Sequence, residues 1–321
     1  MKTIYLVVTE GCNLSCTYCY RQGNSLMSRE TFLEYYQNLP ASPFKIFFFG
    51  GEPLLNWNLI EFVVTHLQGD ERCQGFEIIS NGLLLNQQMV DFIKEHNIDF
   101  MWSYDGLSDE REGASRDQYP IEYIKQVVTE INTMVTPNNL KILDNHFFLK
   151  QFAGIYPSFR ILRDNVWTTE KVDKFRQEFS KYIQHLKEHP DEIPKNIYRE
   201  VDALYTGVYK NTMRPDCKMF GSTTTLMPNG ENPLCYKLYA GSQEDAYNPE
   251  LYVKCHSCEI KLFCEKGCYE QVLENGEPID EVCTIYKIMF NEIIKLDDYL
   301  QIRGNKMWTN YIRRLVDGLE I

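Results

Sequence analysis

The sequence predicts an α/β protein: a partial, open (β/α)6 TIM-like barrel, then a small cysteine-rich domain and C-terminal helices. Three observations carry that expectation. Short apolar runs alternate with helix-like stretches through the first half of the chain. Glycine and polar residues recur directly after the apolar runs, where parallel α/β sheets place their sites. Cysteines fall in two fields, with Cys12, Cys16 and Cys19 near the N-terminus and seven more from Cys217 to Cys283.

The elements follow in order. Ile4-Tyr5-Leu6-Val7-Val8 reads as a strand that runs into the first cysteine loop. Ser28 to Asn38 reads as a helix with Ser28 as its N-cap. Lys45 to Phe49 is a strand ending in Gly50-Gly51-Glu52-Pro53, and Leu59 to Leu67 is helical. Phe76 to Ile79 is a strand ending in Ser80-Asn81-Gly82, followed by a helix from Asn86 to His96. Phe100 to Tyr104 is a strand ending in Asp105-Gly106. A helix is expected near Ile121 to Met134, and strands near Lys141 to Phe148 and Phe159 to Leu162. Repeated strand–helix units imply parallel strands with right-handed crossovers. About six units fit within residues 1–165, too few for a closed eight-fold barrel.

Residues 166–212 read as a helical, barrel-closing linker. Thr168-Thr169-Glu170 starts a helix and Pro190 to Pro194 interrupts it, with Lys and Glu forming a solvated face. His185 and His189, four apart, suit a metal, but they sit among Lys and Glu with no acidic third ligand in register. Two surface histidines are therefore expected. Residues 213–290 form the cysteine-rich domain, where Pro228-Asn229-Gly230 signals a hairpin. Residues 291–321 are a C-terminal helical segment whose apolar spacing indicates packing. Cys73 belongs to neither field and reads as a small, half-buried thiol.

Composition narrows the function. The 321 residues, 44% hydrophobic, suffice for one large domain and a smaller module. A net charge of -12 argues against non-specific nucleic-acid binding. No apolar run is long enough for a bilayer, and Met1-Lys2-Thr3 enters a strand with no signal-peptide pattern, so a cytoplasmic protein is expected. In a reducing compartment, 11 cysteines point to metal ligation rather than disulfides.

Cys12-x3-Cys16-x2-Cys19 places three thiols on one loop after a strand. Three thiolates hold three irons of a cubane and leave the fourth iron open to a small molecule, whereas stable cubanes take four. A structural zinc site competes, but it favours Cys-x-x-Cys pairs and a fourth ligand nearby. In the second field Cys217, Cys235, Cys255-x2-Cys258-x5-Cys264-x3-Cys268 and Cys283 allow two interleaved zinc sites, although seven ligands fill one four-ligand site and leave three.

These residues reach a family resemblance. The first motif, with Tyr18 before its last cysteine, is similar to the signature of the radical S-adenosylmethionine (radical SAM) enzymes. Gly50-Gly51-Glu52-Pro53 resembles that superfamily's turn for the methionine amino group. The second field resembles the SPASM extension, with C-x(9–15)-G-x4-C, C-x2-C-x5-C-x3-C and a trailing cysteine. The motifs stand in family order over nearly the whole chain and weigh against zinc.

The resemblance implies three [4Fe-4S] clusters and bound S-adenosylmethionine. Cys12, Cys16 and Cys19 would hold the first cluster, whose open iron chelates the cofactor. Backbone at Gly50, Gly51 and Glu52 would receive its amino group, Ser103 and Asp105 would contact the ribose, and Asn81 would lie near the cofactor. Arg116 best matches an arginine for the carboxylate, with Arg111 as a substitute, and Tyr18 lies near the adenine through its backbone. Cys255, Cys258, Cys264 and Cys283 would hold a distal auxiliary cluster of the iron–sulfur domain. Cys217, Cys235 and Cys268 would hold a nearer one whose fourth ligand is open.

By this resemblance the chain is an oxidoreductase that makes a 5′-deoxyadenosyl radical. It abstracts hydrogen from a ribosomally made (RiPP) precursor peptide, forming a thioether, C–C or C–O crosslink or a related modification. Formylglycine formation in sulfatases is the alternative. Tyr236 stands where that branch carries Asp, and no extra Cys follows Cys217, which counts against it. A non-catalytic iron–sulfur electron carrier is the alternative of another class, though it needs no cofactor pocket. Expected partners are the precursor peptide, a flavodoxin- or ferredoxin-type reductant and, since the chain opens on a barrel strand, a separate leader-recognition protein.

Overall fold

In a computed structural model of the chain, the described residues are 2–20, 23–39, 41–210, 223–233, 235–237 and 248–319. The first elements are β1 (Lys2–Thr9), β2 (Ser15–Cys16), α1 (Arg29–Gln37), β3 (Phe44–Gly50), α2 (Trp57–His66), β4 (Cys73–Ser80), α3 (Gln87–Glu95) and β5 (Asp99–Ser103). Then come β6 (Arg111–Glu112), α4 (Ile121–Val127), β7 (Val128–Val135), α5 (Ile142–Ala153), β8 (Pro157–Ile161), α6 (Thr169–Glu188) and α7 (Lys195–Lys210). The last are β9 (Thr223–Leu226), α8 (Val253–His256), α9 (Tyr269–Asn275), α10 (Asp280–Ile302) and α11 (Lys306–Asp317). None of the described helices is long and apolar enough to cross a membrane.

The chain divides into two compact units, residues 1–133, 152–155 and 218–247 in the first and 134–151, 156–217 and 248–321 in the second. The first unit is a parallel sheet in the order β7-β5-β4-β3-β1-β9 that does not close. One sheet face is fully buried: Ile4 and Leu6 of β1 and Phe44, Ile46 and Phe48 of β3 have almost no exposure. The opposite face is half-buried and carries Tyr5, Phe47 and Phe49 beside Lys45, which bridges Glu77 at 3.1 Å and Asp99 at 2.8 Å. An alternation of period two separates these faces, as a strand requires.

Local signals fix the helix starts. The Ser28 side chain accepts from the Thr31 N–H, Asn86 from Met89 and Thr168 from Lys171, so each cap satisfies an N–H that the helix leaves without a partner.

Three expectations are corrected. The helix foreseen over Ile121 to Met134 is only α4, and the chain continues as β7. Val127, Val128, Thr129, Ile131 and Thr133 are β-branched, and the partly buried β5 edge offers them a ladder. The strand foreseen near Lys141 to Phe148 is instead α5, whose buried residues Ile142, Asn145, His146, Leu149 and Ala153 recur at helical spacing. Its phenylalanines mimic a strand run, yet Phe147 is exposed. The Pro228-Asn229-Gly230 signal makes a turn, with the Gly230 N–H bonding the Met227 carbonyl at 3.0 Å, but no hairpin among the described residues. The strand before it, β9, pairs in parallel with the outer edge of β1 from Thr3↔Thr223 to Leu6↔Leu226. That edge would otherwise leave its backbone groups without partners.

The second unit is mainly helical. α6 and α10 pack Phe175, Phe179, Tyr182 and Ile183 with Ile285, Ile288, Met289 and Ile293 in one buried core. Asp297 on α10, 6% exposed, accepts from the Trp308 indole at 2.7 Å and the Tyr205 hydroxyl at 2.7 Å. Those donors compensate its desolvation.

Candidate active site

The first cysteine loop begins where β1 ends. The Thr9 hydroxyl donates to the Ser25 carbonyl at 3.2 Å and accepts from the Gly11 N–H at 3.0 Å, turning the chain. The Cys19 N–H then bonds the Cys16 carbonyl at 3.0 Å, and the Leu14 N–H points at Cys12 Sγ at 3.4 Å. All three cysteines are free thiols, with Cys12 and Cys19 exposed and Cys16 half-buried.

The Gly50-Gly51-Glu52-Pro53 turn locks one side of this loop. The Gly51 N–H donates to the Thr9 carbonyl and the Glu52 N–H to the Gly11 carbonyl, both at 2.8 Å. A Cβ on residue 51 would sit 1.8 Å from the Gly11 oxygen, and one on residue 50 would sit 2.3 Å from the Thr9 oxygen. Glycine is required at both positions because backbone meets backbone. Gly51→Ala is expected to cost about 1–3 kcal/mol, as overpacking does, and to lower the iron bound by the loop. Anaerobic urea titration with iron analysis checks this, and wild-type stability with full iron would refute it.

Glu52 ties this turn to the next one. Its carboxylate is fully buried and accepts from the Leu54 N–H at 3.0 Å, the Asn81 N–H at 2.8 Å and the Ser80 hydroxyl at 2.7 Å. Burial pushes its pKa above the usual carboxylate value, against the pull of those donors. Asn81, 5% exposed, donates through Nδ2 to Asn13 Oδ1 at 2.8 Å, inside the cysteine motif. The strand-end residues Glu52, Ser80 and Asn81 thus hold the loop through Asn13.

The other side is held by the two-residue ribbon β2–β6, which sets Cys16 opposite Arg111 and bonds the Thr17 N–H to the Glu110 carbonyl at 2.9 Å. Arg111 Nε lies 3.0 Å from Asp105 Oδ2, and its Nη2 donates to Oδ1 at 3.3 Å. Its Nη1 points at Cys16 Sγ at 3.9 Å, and the guanidinium lies over the Tyr18 ring at 5.8 Å. The Tyr18 hydroxyl donates to Asp105. Burial pushes the Cys16 thiol up to about 11, although the Arg111 cation pulls it down. Replacing a thiol proton by a metal cation removes that penalty.

The remaining sequence candidates stand nearby. Ser103 ends β5, half-buried and laddered with Asn132. Arg116 opens the short turn Arg116–Gln118 and hydrogen-bonds Tyr104. The structure therefore sets Arg111, the second-choice arginine, against the Cys16 thiol, and Arg116 against a tyrosine. Asn13 and the ribbon went unread. A polar residue inside a metal-binding motif was the available signal for Asn13; the ribbon has none, because its strands are 95 residues apart.

The radical SAM superfamily profile matches residues 6–145. An uncharacterised protein of Methanocaldococcus jannaschii is 31% identical over 224 residues, 64% of this chain and 78% of that protein. The chain belongs to the radical SAM superfamily. The radical SAM cyclopropyl synthase TigE of Paramaledivibacter caminithermalis is 30% identical over 128 residues, 33% of this chain but only 27% of that protein. Among solved structures, anSMEcpe with bound AdoMet superposes with a TM-score of 0.72 at 15% identity, covering 99% of this chain and 98% of that one. Streptococcus suis SuiB bound to precursor peptide SuiA gives 0.53 at 17% identity, covering 86% and 73%. These likenesses establish the radical SAM fold. The superfamily is one of enzymes and implies S-adenosylmethionine with a [4Fe-4S] cluster. Three free thiols on one loop, with two N–H groups aimed at sulfur, are a donor set that fits such a cluster.

The second cysteine field of this radical SAM chain is partly described. In the second unit Cys255 closes in on Cys258 through the Cys258 N–H, 3.2 Å from the Cys255 carbonyl. The Lys266 N–H points at Cys264 Sγ at 3.2 Å, which requires Lys266 at φ 56° and Gly267 at φ 89°. A lysine in the left-handed region costs about 1–3 kcal/mol, offset here by the aimed N–H. Burial pushes the Cys264 thiol up to about 12, and it feels the charges of Cys283 and Cys255. Cys283 lies in the first turn of α10 and feels Cys258. These four are therefore electrostatic neighbours. Cys268 caps α9. In the first unit the Lys237 N–H points at Cys235 Sγ at 3.4 Å. Cys217 lies outside the described residues.

His185 and His189 part company. His189 bonds the His185 carbonyl through Nδ1 at 3.1 Å and is exposed, whereas His185 is half-buried against Glu192 at 2.7 Å. The surface-histidine expectation thus fits His189 only, because the Pro190 turn folds Glu192 back onto α6.

Proposed function

We propose that this chain is a radical SAM/SPASM oxidoreductase that modifies a peptide, forming a thioether, C–C or C–O crosslink or a related change. The observation that carries this reading is the three-thiol loop locked between Gly51 and the Asp105–Arg111 pair. The bound cluster would supply the electron that splits S-adenosylmethionine, releasing the 5′-deoxyadenosyl radical that removes a hydrogen atom from the peptide.

The chain's own residues would do the holding. Cys12, Cys16 and Cys19 would ligate three irons, and N–H groups aimed at their sulfurs raise a cluster's potential by easing its negative charge. An ammonium donates only, so the Gly50–Glu52 turn would receive it on carbonyl oxygens, while the Gly51 and Glu52 N–H groups hold the loop. Arg111 would steady the carboxylate end. Asp105, Ser103, Asn81 and Tyr18 would frame the nucleoside, and Arg116 would fix Tyr104 behind them. Two further clusters, on Cys255, Cys258, Cys264 and Cys283 and on the Cys217, Cys235 and Cys268 set, would carry the substrate's electron away.

Support for a peptide substrate comes from SuiB, solved with its precursor peptide, and anSMEcpe, solved with AdoMet and the Kp18Cys peptide. Against formylglycine formation stands Tyr236, where the sulfatase-maturing branch carries Asp. Its ring packs on Phe49 at 4.5 Å, Tyr20 at 5.6 Å and Tyr5 at 5.7 Å, so no carboxylate occupies that place.

The test incubates the reconstituted protein with dithionite, S-adenosylmethionine and the peptide encoded beside its gene, with and without a leader-binding protein. Release of 5′-deoxyadenosine with a change in peptide mass is expected. Release with unchanged peptide in both arms refutes the peptide reading, and no release at all leaves the electron carrier.

A further inference from the structure

A second convergence of ligating side chains lies in the second unit and contains no cysteine. His146 stands on α5, His185 near the end of α6, and Glu192 in the turn Pro190–Glu192 that follows. Nε2 of His146 and of His185 face the same carboxylate oxygen, Glu192 Oε2, at 3.2 and 2.7 Å. The three ligand atoms all lie within 4.8 Å of one another.

We propose that His146, His185 and Glu192 form a site for a divalent transition-metal ion of the zinc type. Nothing in the radical SAM reading uses these residues, and the inference stands apart from it.

The geometry fits the ion. Zinc binds imidazole nitrogen at about 2.0–2.1 Å and carboxylate oxygen at about 2.0–2.2 Å. Tetrahedral ligands at such lengths lie about 3.3 Å apart, and the observed separations of 2.7 and 3.2 Å need only small ring rotations to match. Two imidazoles on one oxygen are also more than a hydrogen-bonded tether requires.

The chemistry of each ligand fits as well. The His146 side chain has no exposure and stacks on Tyr156 at 4.3 Å with an interplanar angle of 13°. Its Nδ1 is buried and has no hydrogen-bond partner. Ligation through Nε2 would leave the ring's one proton on this Nδ1. The Glu192 carboxylate takes hydrogen bonds from His185, His146 and Tyr156. One carboxylate with two imidazoles is the two-histidine, one-carboxylate set of many zinc and iron sites. His185 at 13% and Glu192 at 19% exposure leave one side open, so water completes the shell. The site would pin α5 to the turn after α6, joining residues 46 apart in sequence.

The test uses the anaerobically reconstituted full chain, with zinc added and then desalted. About one zinc per chain is expected, and its X-ray absorption fine structure should show a nitrogen/oxygen shell near 2.0–2.1 Å without the sulfur shell near 2.3 Å. His185→Gln and Glu192→Gln, both at partly exposed positions, should each lose that zinc with iron content unchanged. No retained zinc, a sulfur shell, or the same zinc in both variants would overturn the proposal. Should either variant fail to fold, the wild-type absorption spectrum still decides.

Discussion

Arg111→Met should destabilise the protein by about 3–5 kcal/mol, the usual cost of leaving one member of a buried ion pair alone. The pair is well inside: Asp105 is 1% and Arg111 13% exposed. Without the guanidinium, Asp105 loses this ion pair and keeps the Tyr18 hydroxyl. Adding Asp105→Asn should recover much of the loss, because the buried charge and not the missing contact dominates it. Anaerobic urea titrations of the two single variants and the double variant measure this. Equal instability of Arg111→Met with and without Asp105→Asn would refute the buried-charge account. Affinity for S-adenosylmethionine should fall in the same variant, whereas Arg116→Met, removing a partner of Tyr104, should disturb it less.

Replacing Cys12, Cys16 and Cys19 together by alanine should abolish 5′-deoxyadenosine release and remove about four irons per chain, one cubane's content. Cys12 and Cys19 are exposed and Cys16 is half-buried, so the fold should survive. The iron that remains should be the second field's, about eight per chain if two auxiliary clusters form. Undiminished iron, or continued release of 5′-deoxyadenosine, would show that these thiols are not the cluster's ligands.

Much of the fold was legible because its signals are local. Ser28 caps the helix it was expected to cap, and Asn86 and Thr168 cap helices expected to start there, since a cap is read within four residues. β1, β3, β4 and β5 end where glycine and polar residues follow apolar runs. Two segments misled for the same reason that others did not. Val127 to Thr133 and Leu140 to Phe148 are apolar enough to serve as either element, and short runs of that kind are settled by what they pack against.

The sequence by itself determined the cysteine spacing, the glycines of the Gly50-Gly51 turn and the order of strand–helix units, because each is written in consecutive residues. Only the tertiary structure decided which arginine meets Cys16, that Asn81 holds Asn13, and that His146 joins His185 and Glu192. Arg111 and Cys16 are 95 residues apart, and Asn81 and Asn13 are 68 apart. Contacts across such separations depend on sheet order and on a two-residue ribbon, and no local propensity encodes either.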